Sequence, residues 1–160
     1  GGVRGNRPET LESYVAKDVE AVIATQNFKG ISSWSKVLHL REPDSCFIYD
    51  ARIAVVVNMV QRKHSVPDPV LFHMPDSQNR LIKPVRKRLA DEAKAEGWKP
   101  ASADMYREYN DLVLEIGRRV GKKGDLVEMA LFSKAPALAE EFLDKVEKSQ
   151  KQRKQKRTVG

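Results

Sequence analysis

Two residues of the kind that do chemistry together stand fourteen positions apart, Lys36 and Asp50, in the stretch 30–57, GISSWSKVLHLREPDSCFIYDARIAVVV. A lysine amine attacks carbon only after losing its proton, and an apolar setting favours the neutral amine. Trp34, Val37 and Leu40 are the neighbours expected to supply that setting. Asp50 ends the apolar run Phe47-Ile48-Tyr49 and opens a second run, so it reads as a helix N-cap. Backbone N–H groups and the helix dipole favour an anion there. Such a carboxylate can stabilise a developing positive charge, or orient an amine or a water. The alternative reading is two surface charges with no shared role.

A second constellation is basic. Arg80, Lys83 and Lys87 fall at i, i+3 and i+7 and would share one helical face, a spacing that rises about 10 Å and spans neighbouring phosphates. The alternative is a solvated face balanced by Asp91 and Glu92. Other chemistries find no pattern. Three histidines (His39, His64, His73) and one cysteine, Cys46, fit no zinc spacing, and no metal or cofactor is expected. There is no Gly-rich phosphate loop and no nucleophile elbow. Cys46 precedes an apolar run with no activating partner in sight, and His39 reads as a core or interface residue.

The elements that must position these residues are helices. Apolar residues recur at helical spacing from Pro8 to Phe28, with Thr10 as the expected cap. Ser32 and Ser33 are N-cap candidates for a short helix through Leu40. Pro43 and Asp44 break it. The run after Asp50 mixes strand-favouring Val and Ile, but its length and its cap favour a buried helix. Residues 64–79, with three prolines, read as a long irregular connection, and 81–96 as a basic helix. Asp104 is the expected cap of a helix through Val120. Helices over 125–132 and 136–150 follow, divided before Pro136. No hairpin is evident. The fold class expected is mostly α, a single compact multi-helix domain over 1–150, followed by a disordered basic C-terminal tail over 151–160.

Composition narrows the setting. The chain has 160 residues and a net charge of +7, of which the tail KQRKQKRTVG supplies five basic residues and no acid. Such a tail adds sequence-independent attraction to nucleic acid, or is a solubilising fringe. No apolar run approaches the roughly 18–20 residues that span a bilayer, so no membrane partner is expected. One cysteine suits a cytoplasmic protein. The start, GGVRGNRPET, has neither a signal-peptide core nor an initiator Met, so the chain is expected to be trimmed or part of a longer one.

The order of features resembles the helix–hairpin–helix DNA glycosylase superfamily, most nearly the bacterial proteins with an 8-oxoguanine DNA glycosylase fold. Lys36 in ISSWSKVL takes the place of the family's lysine, and Phe47-Ile48-Tyr49-Asp50-Ala51-Arg52-Ile53 that of its aspartate motif. Tyr106, Tyr109, Glu128 and Leu131-Phe132 match in the stretch YREYNDLVLEIGRRVGKKGDLVEMALF. Gly30-Ile31-Ser32-Ser33-Trp34-Ser35 stands where the family's turn carries two glycines. The resemblance implies an enzyme that excises a damaged or modified base from double-stranded DNA, in repair or in defence against foreign DNA. It implies Lys36 as a Schiff-base nucleophile with lyase activity, Asp50 as its catalytic partner, and DNA contacts from Ser32, Ser33, Trp34 and Arg52, with Arg80, Lys83 and Lys87 adding affinity. The other function class left open is a non-catalytic helical module that binds nucleic acid or protein.

Overall fold

Asp50 opens the helix against which the others pack. In the computed structural model, which describes residues 8–26 and 28–158, this helix is α4 (Ala51–Lys63). Before it come α1 (Pro8–Ala16), α2 (Val19–Gln26) and α3 (Ile31–Arg41). After it come β1 (Val70–Leu71), α5 (Ile82–Ala95), β2 (Lys99–Pro100), α6 (Met105–Val120) and α7 (Gly124–Thr158). The described chain is thus mostly helical, with one small sheet. A helix apolar on nearly every side belongs in the centre. Ile53, Ala54, Val55, Val56, Val57 and Met59 are accordingly buried, and α4 packs chiefly against α7 and α5. Among the described residues no helix is long and apolar enough to cross a membrane.

Several boundaries depart from the sequence expectation, each for a local reason. The first helix is two, because the Asp18 carboxylate accepts the Ala21 N–H at 3.2 Å and caps a new helix. The Thr10 side chain lies outside the described residues. Helix α3 starts earlier than expected. Gly30, in the left-handed region at φ 70°, is its N-cap, so Ser32 and Ser33 sit inside the first turn and do not cap it. Asp104 occupies the N-cap of α6 but makes no capping bond, and its carboxylate pairs with Arg107 instead.

Pro136 lies inside α7 rather than dividing it, so the two expected helices are one. Proline removes a single bond to the carbonyl four residues back, and a long, packed helix tolerates that. The tail, expected to be disordered, is helical over its described backbone, 151–158. Its backbone continues α7 to Thr158, since Lys, Gln and Arg are good helix formers. The tail's side chains from Gln152 on, and residues 159–160 altogether, lie outside the described residues.

The irregular connection 64–79 contains the parallel strand β1, in register Val70↔Lys99 and Leu71↔Pro100 with β2. The carbonyls of Pro69 and Leu71 accept from Lys99 and Ala101. The other edge of β1 has no third strand. Two amide side chains of α4 take its place: Gln61 exchanges both bonds with the Val70 backbone at 2.9 Å, and Asn58 binds the Phe72 N–H at 2.9 Å and its carbonyl at 3.0 Å. Residues i and i+3 on a helix thus meet residues i and i+2 on a strand, which leaves no edge group of β1 unpaired.

Candidate functional site

Residues 46–49 cross the core outside any helix and with no strand beside them, so side chains must satisfy their backbone. The His39 Nδ1 pairs with the Cys46 carbonyl at 2.7 Å. Asn110 accepts the Phe47 N–H at 3.0 Å, and the Tyr106 hydroxyl donates to the Phe47 carbonyl at 2.9 Å. Glu128 Oε2 accepts the Ile48 N–H at 2.8 Å, and the Tyr109 hydroxyl donates to the Ile48 carbonyl at 3.0 Å. Ser35 Oγ accepts the Tyr49 N–H at 3.1 Å. Burial keeps the Tyr49, Tyr106 and Tyr109 phenols protonated far above the ordinary range, so they act as donors. Helices α3, α6 and α7 therefore grip the segment that ends at Asp50.

Asp50 is the N-cap of α4, as its sequence position implies. Its Oδ1 accepts the N–H groups of Arg52 at 2.8 Å and Ile53 at 3.1 Å. The residue is half-buried, and no other hydrogen bond or ion pair engages its side chain among the described residues. Beside it stands Glu128. Burial raises the Glu128 carboxyl above its usual range; the Ile48 N–H and His39 oppose the shift, and the charges of Asp50 and Asp125 add to it. One carboxylate is thus pinned at a helix N-terminus, and a second, reluctant to ionise, stands within reach of its field. Tyr106, Tyr109, Asn110 and Glu128 give this site its rigidity. Their signal in the sequence is polar residues on the apolar stripes of α6 and α7, where no local role accounts for them.

The remaining expected site residues divide. Ser35 binds Tyr49, so Lys36 and Asp50 spring from adjoining backbone positions. Lys36 is nevertheless exposed, and it shares no hydrogen bond or ion pair with Asp50 among the described residues. The apolar setting expected from Trp34 is absent, because Trp34 faces the opposite way. At 1% exposure Trp34 is core, edge-on to Tyr106 at 4.8 Å with its indole N–H given to the Lys29 carbonyl. It is not available to touch DNA, which corrects the expectation for that residue. Phe47 and Tyr49 are likewise core. Ser32 and Ser33 are half-buried, and the Arg52 guanidinium lies over the Phe132 ring at 4.6 Å.

Of the basic cluster, Arg80 precedes α5 and stands apart, whereas Lys83 and Lys87 line one groove of about 580 Å³ together with Arg86, Phe28 and His73. The groove joins the Asp50 segment through one side chain, since the Tyr49 hydroxyl donates to the His73 carbonyl at 2.8 Å. Among the described residues no cluster of His, Cys, Asp and Glu is arranged to hold a metal ion. No family model matches the chain, and neither a curated protein nor a solved structure does so.

Proposed function

We propose that this protein is a glycosylase-like enzyme that releases a damaged or modified base from DNA, with Asp50 as the catalytic carboxylate. The observation that carries the reading is the hold on Asp50. One oxygen is fixed by two peptide N–H groups at the start of the central helix, the preceding segment is bound by side chains from three helices, and the second oxygen is left free. A rigid, pre-placed carboxylate is what an oxocarbenium-like transition state needs. The C1′–N bond breaks with its electron pair leaving on the base, water adds to C1′, and Asp50 takes the proton from that water. The base must first turn out of the duplex. The glycosylase-like fold and the role in repair or defence belong to this proposal.

Lys36 is the proposed nucleophile of a second, strand-cleaving step. Its amine is exposed in the free protein, so the step requires bound DNA to exclude water from it. Duplexes carrying single lesions, treated with alkali after incubation, report base release. Asp50→Asn keeps an N-cap acceptor and the fold, and should lower release by about 10²–10⁴-fold. Borohydride trapping should give an adduct that Lys36→Ala abolishes. Wild-type rates in Asp50→Asn, or no release from any lesion, would sink the enzyme reading. Release without a trapped adduct would remove only the lyase step.

A further inference from the structure

Phe28 adopts the left-handed region with φ 66°, a strained setting for a bulky L residue. Strain of this sort persists where surrounding structure holds it, and it clusters at ligand sites. Its ring lies nearly parallel to the His73 imidazole, with centroids 5.3 Å apart and planes at 20°. The pair lines the groove of about 580 Å³, within the usual size for a small-ligand site. Leu71 and Pro100 of the small sheet give the groove an apolar part. Lys83 and Lys87 also line it, roughly 6 Å apart along the axis of α5. Both are exposed, and their side-chain amines have no hydrogen bond or ion pair among the described residues. Arg86 is occupied otherwise: it binds Asp76 at 2.6 Å and the Met74 carbonyl at 3.0 Å, and so fastens the wall that carries His73. Asp91 is the one acid of the lining.

Flat aromatic surface beside a row of unpaired cations is the chemistry that takes single-stranded nucleic acid, in which every base has a face to stack and every unit a phosphate to pair. We propose that this groove binds nucleotide units of a single DNA strand, with a base stacked on the Phe28–His73 pair and phosphates on Lys83 and Lys87. The proposal rests on the function above only in taking DNA as the strand. Chemistry at Asp50 does not enter it, so strand binding and base release fail separately. The Tyr49 bond to His73 ties the groove to the segment that ends at Asp50.

The test is fluorescence anisotropy of the full chain with a fluorescein-labelled oligothymidylate of roughly ten nucleotides, a length one small domain can cover. Lys83→Gln with Lys87→Gln should reduce the log–log salt slope by about 1.4, two phosphate contacts at about 0.7 each. Phe28→Gly, which suits the positive φ, should weaken binding about tenfold with the slope unchanged, and Phe28→Tyr should bind as wild type. Ala90→Glu, which places an acid in the groove, should abolish binding as an independent check. Lys122→Gln with Lys123→Gln removes equal charge outside the groove and should leave binding unchanged. Equal loss from the two lysine pairs overturns the proposal, as does equal weakening by Phe28→Gly and Phe28→Tyr. Displacement of the oligonucleotide by poly-glutamate at matched charge also overturns it, since the site would then take acidic polypeptide.

Discussion

Replacing Asn58 by leucine should destabilise the protein by about 3 kcal/mol. Asn58 is fully buried, and its amide binds the Phe72 carbonyl at 3.0 Å, the Phe72 N–H at 2.9 Å and the Ala54 carbonyl at 2.8 Å. Leucine fills similar volume, so the cavity contribution is small. What remains is the loss of partners for Phe72, itself buried. Its carbonyl is left unpaired, and its N–H keeps only a contact to the Val70 carbonyl at 3.1 Å. Each stranded buried group costs about 1–3 kcal/mol. For a chain of this length, about 3 kcal/mol corresponds to a fall in Tm of roughly 6–12 °C. Gln61→Leu is the internal comparison. It removes the same kind of double bond from Val70, but Gln61 is half-buried and its partners can rehydrate, so about 1 kcal/mol is expected. Urea unfolding and thermal melts followed by circular dichroism measure both variants. If Asn58→Leu falls no further than Gln61→Leu, helix side chains do not substitute for a third strand and the reasoning is wrong.

Gly124→Ala should destabilise by about 1–3 kcal/mol in the same melts, because an added Cβ would lie 2.2 Å from Cζ of buried Phe47. Glu128→Gln keeps an acceptor for the Ile48 N–H and removes a charge that burial disfavours. A carboxyl raised in the fold contributes stability below its unfolded value that is lost as pH rises through the folded one. The Tm of Glu128→Gln should therefore gain on wild type as pH rises from the carboxylate range to neutrality, and a constant difference would contradict the assignment. Burial first and Arg86 second lower the His73 imidazole from 6.5, with Asp76 opposing. That contribution is present above about 6.5 and lost as pH falls below it, so His73→Gln should flatten the acid side of the stability profile. Asp50→Ala should lower stability by about 1 kcal/mol where Asp50→Asn does not, a contrast read in urea midpoints.

The sequence by itself determined that the chain is helical and where most of the helices run, since their signals lie within one or two turns of chain, but not the break between α1 and α2 or the continuity of α7 across Pro136. The apolar run after Asp50 is a buried helix because it is apolar on nearly every side, and Asp50 caps it because a carboxylate beside two free N–H groups needs no distant help. The pairing of Lys83 with Lys87 was legible for the same reason, four residues being one helical turn. The tertiary structure alone decided the rest. Trp34 and Lys36 are two residues apart, yet one is core and the other exposed, according to which face of α3 meets Tyr106. Phe47 and Ile48 find partners 59 and 80 positions away, in Tyr106 and Glu128, and no local pattern encodes contacts of that separation. The groove likewise assembles Phe28, His73 and Lys83 from three segments. Backbone polar groups in a core must find partners wherever the packed helices bring them. The hold on the segment before Asp50 is therefore a property of the packing, while the aspartate and its cap bonds were written in the chain.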